Sequence, residues 1–276
     1  MNYHEACLLP SAANLTVFLT TITLSVVLFP YSSASSPDSF IYVGCSQTKY
    51  SPGSPYESNF NSVLASLVNS ASISTFNSFK ISLPGSTQAD VVYGLYQCRG
   101  DLSSPDCHRC VANAVTRLST YCVGTSGGAL QLEGCFVKYD NTPFLGAQDK
   151  SVVSNKCGPS IGYDSDMLAR RDAVLAYLTG GGQYFREGRS EKVQGMVQCA
   201  QDLSMNECQD CLSEAIQRLK SECGSSPWGD MFLGKCYARY SGSGYSSESG
   251  EQLHRRRGWF TVCAFTFSLI FTLMLF

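Results

Sequence analysis

The sequence predicts an α+β protein: two tandem disulfide-rich domains, each an antiparallel β-sheet with two helices packed on one face, plus a C-terminal hydrophobic helix. Three observations carry that expectation. A block of five cysteines recurs at an offset of 101 residues, helix-like and strand-like apolar patterns surround each block, and the last 18 residues hold no charge. At 276 residues the chain has room for one large domain or two modest ones, and the internal repeat selects two.

Cys98, Cys107, Cys110, Cys122 and Cys135 are separated by 8, 2, 11 and 12 residues, and Cys199, Cys208, Cys211, Cys223 and Cys236 repeat those four gaps. Other residues follow the same offset. Gln97 and Asp101-Leu102-Ser103 match Gln198 and Asp202-Leu203-Ser204, while Ala114, Arg117-Leu118, Leu132 and Tyr139 match Ala215, Arg218-Leu219, Leu233 and Tyr240. Cys45 and Cys157 each precede one block and complete two sets of six; Cys7 and Cys263 are left over near the ends.

Each module reads as two helices among strands. Phe60, Val63, Leu64, Leu67 and Val68 fall on one helical face, and Met167, Val174, Leu175 and Leu178 form its counterpart, from about Asp166 to the stop at Gly180-Gly181-Gly182. The second helix of each module starts just before the Cys-x-x-Cys pair. Ser104-Pro105 supplies a capping hydroxyl and an early proline in the first copy. Ser204-x-x-Glu207 supplies a capping box in the second. Val111, Ala114, Val115 and Leu118 then mirror Leu212, Ala215, Ile216 and Leu219. Strands are expected at Phe40–Cys45, Asn77–Leu83, Val91–Cys98, Leu130–Tyr139, Val193–Cys199 and Met231–Tyr240.

The ends set the compartment. Leu15 to Phe29 is an uncharged, mostly apolar run of 15 residues, followed by small residues at Ser32-Ser33-Ala34. That pattern reads as a signal peptide, despite an n-region without Lys or Arg. Trp259 to Phe276 spans roughly 27 Å as a helix, enough to cross a hydrocarbon core. Arg255-Arg256-Arg257 precedes it, with small residues further upstream. A stop-transfer helix and a glycosylphosphatidylinositol signal both fit this tail. The expected organisation is a signal peptide over 1–34, module one over 38–143, module two over 150–243, a polar spacer over 244–258, and a transmembrane helix or lipid-anchor signal over 259–276.

An oxidising compartment gives the cysteines their reading. A structural zinc needs a second closely spaced ligand pair, which neither module has, so no metal is expected. Six cysteines per module point to three disulfides each, with 15 connectivities open on spacing alone. A formal net charge of −2 supplies no cationic field, which excludes nucleic acid as a partner. Histidine is scarce: of His4, His108 and His254 only His108 lies within a module, and Gln209 replaces it in the copy. A Ser-His-Asp or Cys-His engine would rest on it alone. Asp101 with Asp106 is the available carboxylate pair, although Asp106 and Glu207 also sit where a helix N-terminus favours negative charge. Gly180-Gly181-Gly182 lacks the lysine of a phosphate loop and reads as a turn.

Cys-x8-Cys-x2-Cys with these flanking gaps, present twice, resembles the ginkbilobin-homologous domain of land plants. Two such domains, a signal peptide and one C-terminal apolar segment together resemble the plasmodesmata-located protein family, over roughly residues 38 to 241. Soluble cysteine-rich repeat secretory proteins and cysteine-rich receptor kinases share the tandem. The resemblance implies the bridges Cys45–Cys122, Cys98–Cys107, Cys110–Cys135, Cys157–Cys223, Cys199–Cys208 and Cys211–Cys236. It also implies a mannose site in the family's single-domain antifungal lectin. Its positions fall on Ser46, Ala129 and Asp140 in module one and on Gly158, Asp230 and Ser241 in module two, where no residue matches the lectin's Asn, Arg and Glu.

The function so implied is that of a non-enzymatic, membrane-tethered extracellular protein at plasmodesmata that regulates cell-to-cell trafficking, through callose deposition, defence and the docking of viral movement proteins. The implied location is the plasma membrane at plasmodesmata. Expected partners are the membrane, other ectodomains of the family in homo- or hetero-oligomers, and cell-wall glycan or a viral movement protein; no cofactor is expected and the ligand-binding residues are unknown. The runner-up is a secreted or glycosylphosphatidylinositol-anchored, lectin-like antifungal protein binding cell-wall glycans. An extracellular hydrolase comes third.

Overall fold

The computed structural model describes residues 36–245. The expected signal peptide, Cys7, Asn14, the Arg255-Arg256-Arg257 cluster, Cys263 and the C-terminal hydrophobic helix lie outside the described residues. Module one runs β1 (Phe40–Cys45), α1 (Pro55–Ser70), β2 (Phe76–Ile81), a 3-10 turn (Gln88–Asp90), β3 (Val92–Cys98), α2 (Ser104–Tyr121), β4 (Gly127–Leu132) and β5 (Cys135–Asp140). Module two runs β6 (Val152–Cys157), α3 (Ser165–Thr179), β7 (Phe185–Arg189), β8 (Val193–Cys199), α4 (Met205–Glu222), β9 (Trp228–Leu233) and β10 (Cys236–Gly242). Each module forms one five-stranded antiparallel sheet, in the order β1-β4-β5-β3-β2 and β6-β9-β10-β8-β7.

The helices form where their caps and apolar stripes dictate. On α1 the stripe predicted from spacing is buried at Phe60, Val63, Leu64 and Leu67 and joined by Tyr56 and Asn59, while Val68 packs at its margin. α3 buries Met167, Val174, Leu175 and Leu178. Its N-terminus is capped by the Asp164 carboxylate, which accepts from the Met167 amide at 3.0 Å. At its other end the Arg186 guanidinium donates to the Leu178 and Gly181 carbonyls, so a cation meets the negative end of the helix. α4 starts in the expected capping box, with Ser204 N donating to Glu207 Oε2 at 2.9 Å and Glu207 N donating back to Ser204 Oγ at 3.4 Å. The cap of α2 is Ser103 rather than Ser104: Ser103 Oγ accepts from the Asp106 amide at 3.3 Å. Ser104 becomes the first helical residue. Pro105 fits one place further in because the first four amides of a helix have no partner within it.

Two strand readings are corrected. Leu130–Tyr139 is a hairpin, β4 and β5, broken at Glu133-Gly134, and Met231–Tyr240 is likewise β9 and β10, broken at Gly234-Lys235. A two-residue turn hides easily inside an apolar run. The strands β6 and β7 lie at the two edges of their sheet and carry no apolar alternation: β6 is exposed at four of its six residues, and β7 holds Arg186, Glu187 and Arg189.

Between helices and sheet lies one core per module. In module one it gathers Phe60, Val63, Leu67, Val111, Ala114 and Leu118 over Tyr96, Leu130, Val137 and Tyr139; in module two it gathers Leu175, Leu178, Leu212, Ala215 and Leu219 over Val197, Met231, Ala238 and Tyr240. Glycine sets the closeness of α1 and α3 to their sheets. A Cβ on Gly94 would sit 2.3 Å from Val63 Cγ1, and one on Gly195, its repeat partner, 2.9 Å from Leu178 Cδ1.

The structure joins Cys45–Cys122, Cys98–Cys107, Cys110–Cys135, Cys157–Cys223, Cys199–Cys208 and Cys211–Cys236, with Cα separations of 5.4, 5.5, 6.0, 5.3, 5.6 and 6.1 Å. The first bridge of each module ties the end of an edge strand to the end of a helix. The other two clamp the start of α2 or α4 onto the central strands.

Candidate functional site in the seam between modules

The inner strand β3, between β5 and β2, is buried along its whole length, on both faces of its sheet. One face meets the helices. On the other, Tyr93 and Leu95 join Val91 and Phe136 under Phe144, a residue of the segment that connects the modules. Module two presents the helix-free face of its sheet as well: Phe232 and Tyr237 pack against Ile41, and Tyr42 meets the Phe232 ring edge-on at 6.0 Å.

Around this apolar patch the polar groups are paired across the seam. Gln198 Nε2 donates to the Cys98 carbonyl at 2.8 Å, and the Gln201 amide donates to Gln97 Oε1 at 3.1 Å. Tyr237 completes the set, its hydroxyl donating to Gln198 Oε1 at 3.1 Å. Arg239 is the centre of charge. Its guanidinium donates to Glu133 of module one at 2.5 and 2.9 Å and to Asp230 of module two at 2.7 and 3.1 Å. Burial disfavours its charge, but the carboxylates of Asp230 and Glu133 outweigh that cost and hold its pKa well above the ordinary value. Arg99 donates to the Glu133 carbonyl at 3.1 Å and pairs with Asp101.

Lys235 pins the connecting segment. Buried, it donates to the Phe144 carbonyl at 3.0 Å and to the Asp202 carboxylate, which also accepts from the Gly146 amide at 2.9 Å. Desolvation pulls the Lys235 pKa down, against the favourable Asp202 contact. Burial pushes the Tyr42 and Tyr237 hydroxyls up, out of any titration near neutrality. A cavity of about 30 Å³ lies in the seam, lined in part by Tyr42, Gln97, Arg99, Gln198, Lys235 and Tyr237. That volume holds a water molecule or two and is far below a small-molecule pocket of several hundred Å³.

Of these seam residues the sequence points only to Asp230, as a lectin-type position, and Asp101, as a candidate acid or base, neither for a seam, yet a signal for the others exists. Gln97 and Gln198 are repeat partners. Most of the charges, in contrast, break the 101-residue offset: Glu133 faces Gly234 in the other copy, Lys235 faces Gly134, Asp230 faces Ala129 and Arg99 faces Ala200. The seam thus keeps the repeat at its glutamines and departs from it at most of its charges, so the two copies meet with complementary rather than identical ionic groups.

The lectin-type positions do not assemble a sugar site. Ser46 Oγ accepts from the Thr48 amide, Asp140 Oδ1 accepts from the Thr142 amide and hydroxyl, and Ala129 brings no polar side-chain atom. In module two a Cβ on Gly158 would collide with the Trp228 indole, Asp230 is held by Arg239, and Ser241 Oγ accepts from Gln194. The candidate carboxylates are kept apart. Asp101 is held by Arg99, and Asp106 by Ser103 and Arg109. His108 sits half-buried on α2, and Gln209, in its place on α4, donates to the Gly181 carbonyl at 2.7 Å. Among the described residues no group of three or more His, Cys, Asp or Glu side chains could hold a metal ion.

Comparison with known proteins places this arrangement. The family described as salt stress response/antifungal matches residues 44–142 and 160–243. Plasmodesmata-located protein 7 of Arabidopsis thaliana is 59% identical over 213 residues, covering 77% of this chain and 71% of that one. Plasmodesmata-located protein 6 of the same plant is 57% identical over 236 residues, covering 83% and 81%. The crystal structure of the tandem DUF26 ectodomain of the Arabidopsis thaliana cysteine-rich receptor-like protein PDLP5 superposes with a TM-score of 0.70 at 44% identity, covering 74% of this chain and 99% of that one. The PDLP8 ectodomain gives 0.72 at 43% identity, covering 75% and 100%.

Proposed function

The chain belongs to the plasmodesmata-located protein family, and on that premise we propose that it is a non-enzymatic, membrane-tethered extracellular protein that regulates cell-to-cell trafficking at plasmodesmata. Its place is the plasma membrane at those junctions, with the two modules outside the cell. The observation that carries this reading is 57% identity to plasmodesmata-located protein 6 over 236 residues, 83% of this chain. The seam supports a structural role rather than chemistry. It locks two disulfide-stapled modules into one rigid ectodomain, and its polar groups are spent on one another. The signal peptide over 1–34, the spacer over 244–258 and the anchor over 259–276 belong to this proposal, as does the absence of catalysis.

Tethering makes weak lateral contacts effective. Confinement to a membrane raises the local concentration of ectodomains without any new contact, so homo- or hetero-oligomers with family members become accessible. Callose deposition, defence and viral movement-protein docking are the outputs the family implies. A fluorescent protein inserted in the spacer, with both ends of the chain intact, tests the reading. Puncta at cell junctions are expected; diffuse signal throughout the cell wall space would refute it and favour the soluble lectin-like alternative.

A further inference from the structure

The two modules differ at one end in a way the seam does not explain. In module one the loop after β1 folds its aromatic inward: Tyr50 packs on Tyr56 and Phe60, with ring centroids 5.1 and 5.9 Å apart, while its amide donates to the Gly124 carbonyl. The loop after β6 is anchored by the corresponding bond, from the Ile161 amide to the Ser225 carbonyl, and by a contact between the Ser160 and Ser225 hydroxyls. Here the apolar groups turn outward. Ile161 is 39% exposed and Tyr163 is 87% exposed. Tyr245 is exposed at the same end: its amide donates to the Gly242 carbonyl, and Gly242 in turn donates to Pro227, next to the 224–226 loop.

We propose that this end of module two, bearing Ile161, Tyr163 and Tyr245, rests in the headgroup layer of the lipid bilayer that anchors the chain. The inference depends on the tethering stated above. The chain continues from Tyr245 toward the apolar run at 259–276 through only 13 residues, 246–258. Fully extended, these reach no more than about 45 Å. Arg255-Arg256-Arg257 is favoured beside lipid phosphates, which leaves nine residues and about 30 Å. Tyrosine suits that depth because its ring is apolar and its hydroxyl stays hydrated. The nearby charges are largely compensated: Lys192 and Arg170 are both paired with Asp166 at 2.9 Å, Arg170 also reaches Glu191 at 3.4 Å, and Asp164, next to Tyr163, is engaged as the cap of α3.

Hydroxyl-radical footprinting of the full chain tests this, with protein made in plant cells so that its own membrane attachment is kept. It is reconstituted at one chain per phosphatidylcholine nanodisc, and Tyr177, 68% exposed on α3, serves as the reference within the same molecule. Labelling at Tyr163 and Tyr245 at least fivefold below Tyr177 is expected, although Tyr163 is the more exposed ring in the protein alone. Equal or faster labelling at Tyr163 in chains that stay with the disc would overturn the proposal and leave tethering intact. Protection appearing only in discs that carry two chains would assign the surface to self-association and overturn it too. Chains that separate from the discs on size exclusion would instead refute the tethering.

Discussion

Replacing Arg239 by methionine is the sharpest test of the seam. The side chain makes four hydrogen bonds to two carboxylates, one from each module, and all three groups are nearly buried. The substitution keeps the bulk and removes the cation, stripping Asp230 of its paired guanidinium and leaving Glu133 only the more distant Arg99, at 3.9 Å. Breaking a buried pair in this way costs about 3–5 kcal/mol. Glu133→Gln is milder, because Arg239 keeps Asp230 and the amide oxygen still accepts one bond; the loss is about 1–2 kcal/mol, the difference between charge-assisted and neutral hydrogen bonds. Urea unfolding of the two single variants and the double variant yields the coupling energy, expected at about 1–3 kcal/mol. Small-angle X-ray scattering adds a readout that stability alone would not move, since Arg239→Met should let the modules separate and split the unfolding transition in two. Replacing Glu133, Asp230 and Arg239 together by apolar residues should recover most of the loss, because no charge is then stranded. A loss below about 1 kcal/mol in Arg239→Met, with unchanged scattering, would show that the apolar patch alone holds the modules and would sink the argument.

Two further outcomes follow from the bridges and the caps. Removing Cys45–Cys122, whose partners are 77 residues apart, should cost about 4.5 kcal/mol through the loop it closes in the unfolded chain, against about 2.5 kcal/mol for Cys98–Cys107 with a separation of 9. Equal shifts in the urea midpoints of Cys45→Ala/Cys122→Ala and Cys98→Ala/Cys107→Ala would contradict that reasoning, and free thiols among these twelve cysteines in non-reducing mass spectrometry would contradict the pairing itself. Stability should also fall on the acid side. The Ser204 hydroxyl and amide hold Glu207 below its ordinary 4.5, and the Thr87 amide and hydroxyl hold Asp90 below 3.8. The unfolded chain therefore takes up these protons first, so the caps contribute fully above the ordinary values and progressively less as pH drops through the depressed ones. Glu207→Gln/Asp90→Asn should flatten the urea midpoint between about pH 2 and 5; an unchanged acid limb in that variant would count against the caps as its source.

Much of the module was legible in one dimension because its determinants are local or periodic. The stripe Phe60-Val63-Leu64-Leu67 needs only a 3.6-residue period to reveal α1, and Ser204-x-x-Glu207 satisfies its own amides within one turn of α4. The repeat of cysteine gaps supplied the two-domain α+β architecture, and the family resemblance it carried is what the relatives share. The hairpin turns are marked only by Glu133-Gly134 and Gly234-Lys235, a single glycine and one charge inside ten residues that otherwise read as one strand. The strands β6 (VVSNKC) and β7 (FREGR) are poorer in the apolar residues that mark β1 and β2, the edge strands of the other sheet, so they leave no strand pattern to read.

Sequence alone determined which residues could be helical, where caps form, how many cysteines each module owns and that each sheet has a face to bury. Tertiary structure decided that the helix-free faces bury each other, and that Arg239 joins a carboxylate 106 residues away to one nine residues away. The physical reason is range. Capping and amphipathic periodicity act over a few residues and are written in spacing, whereas the value of a buried charge depends on which distant group folding brings to within hydrogen-bond distance of it.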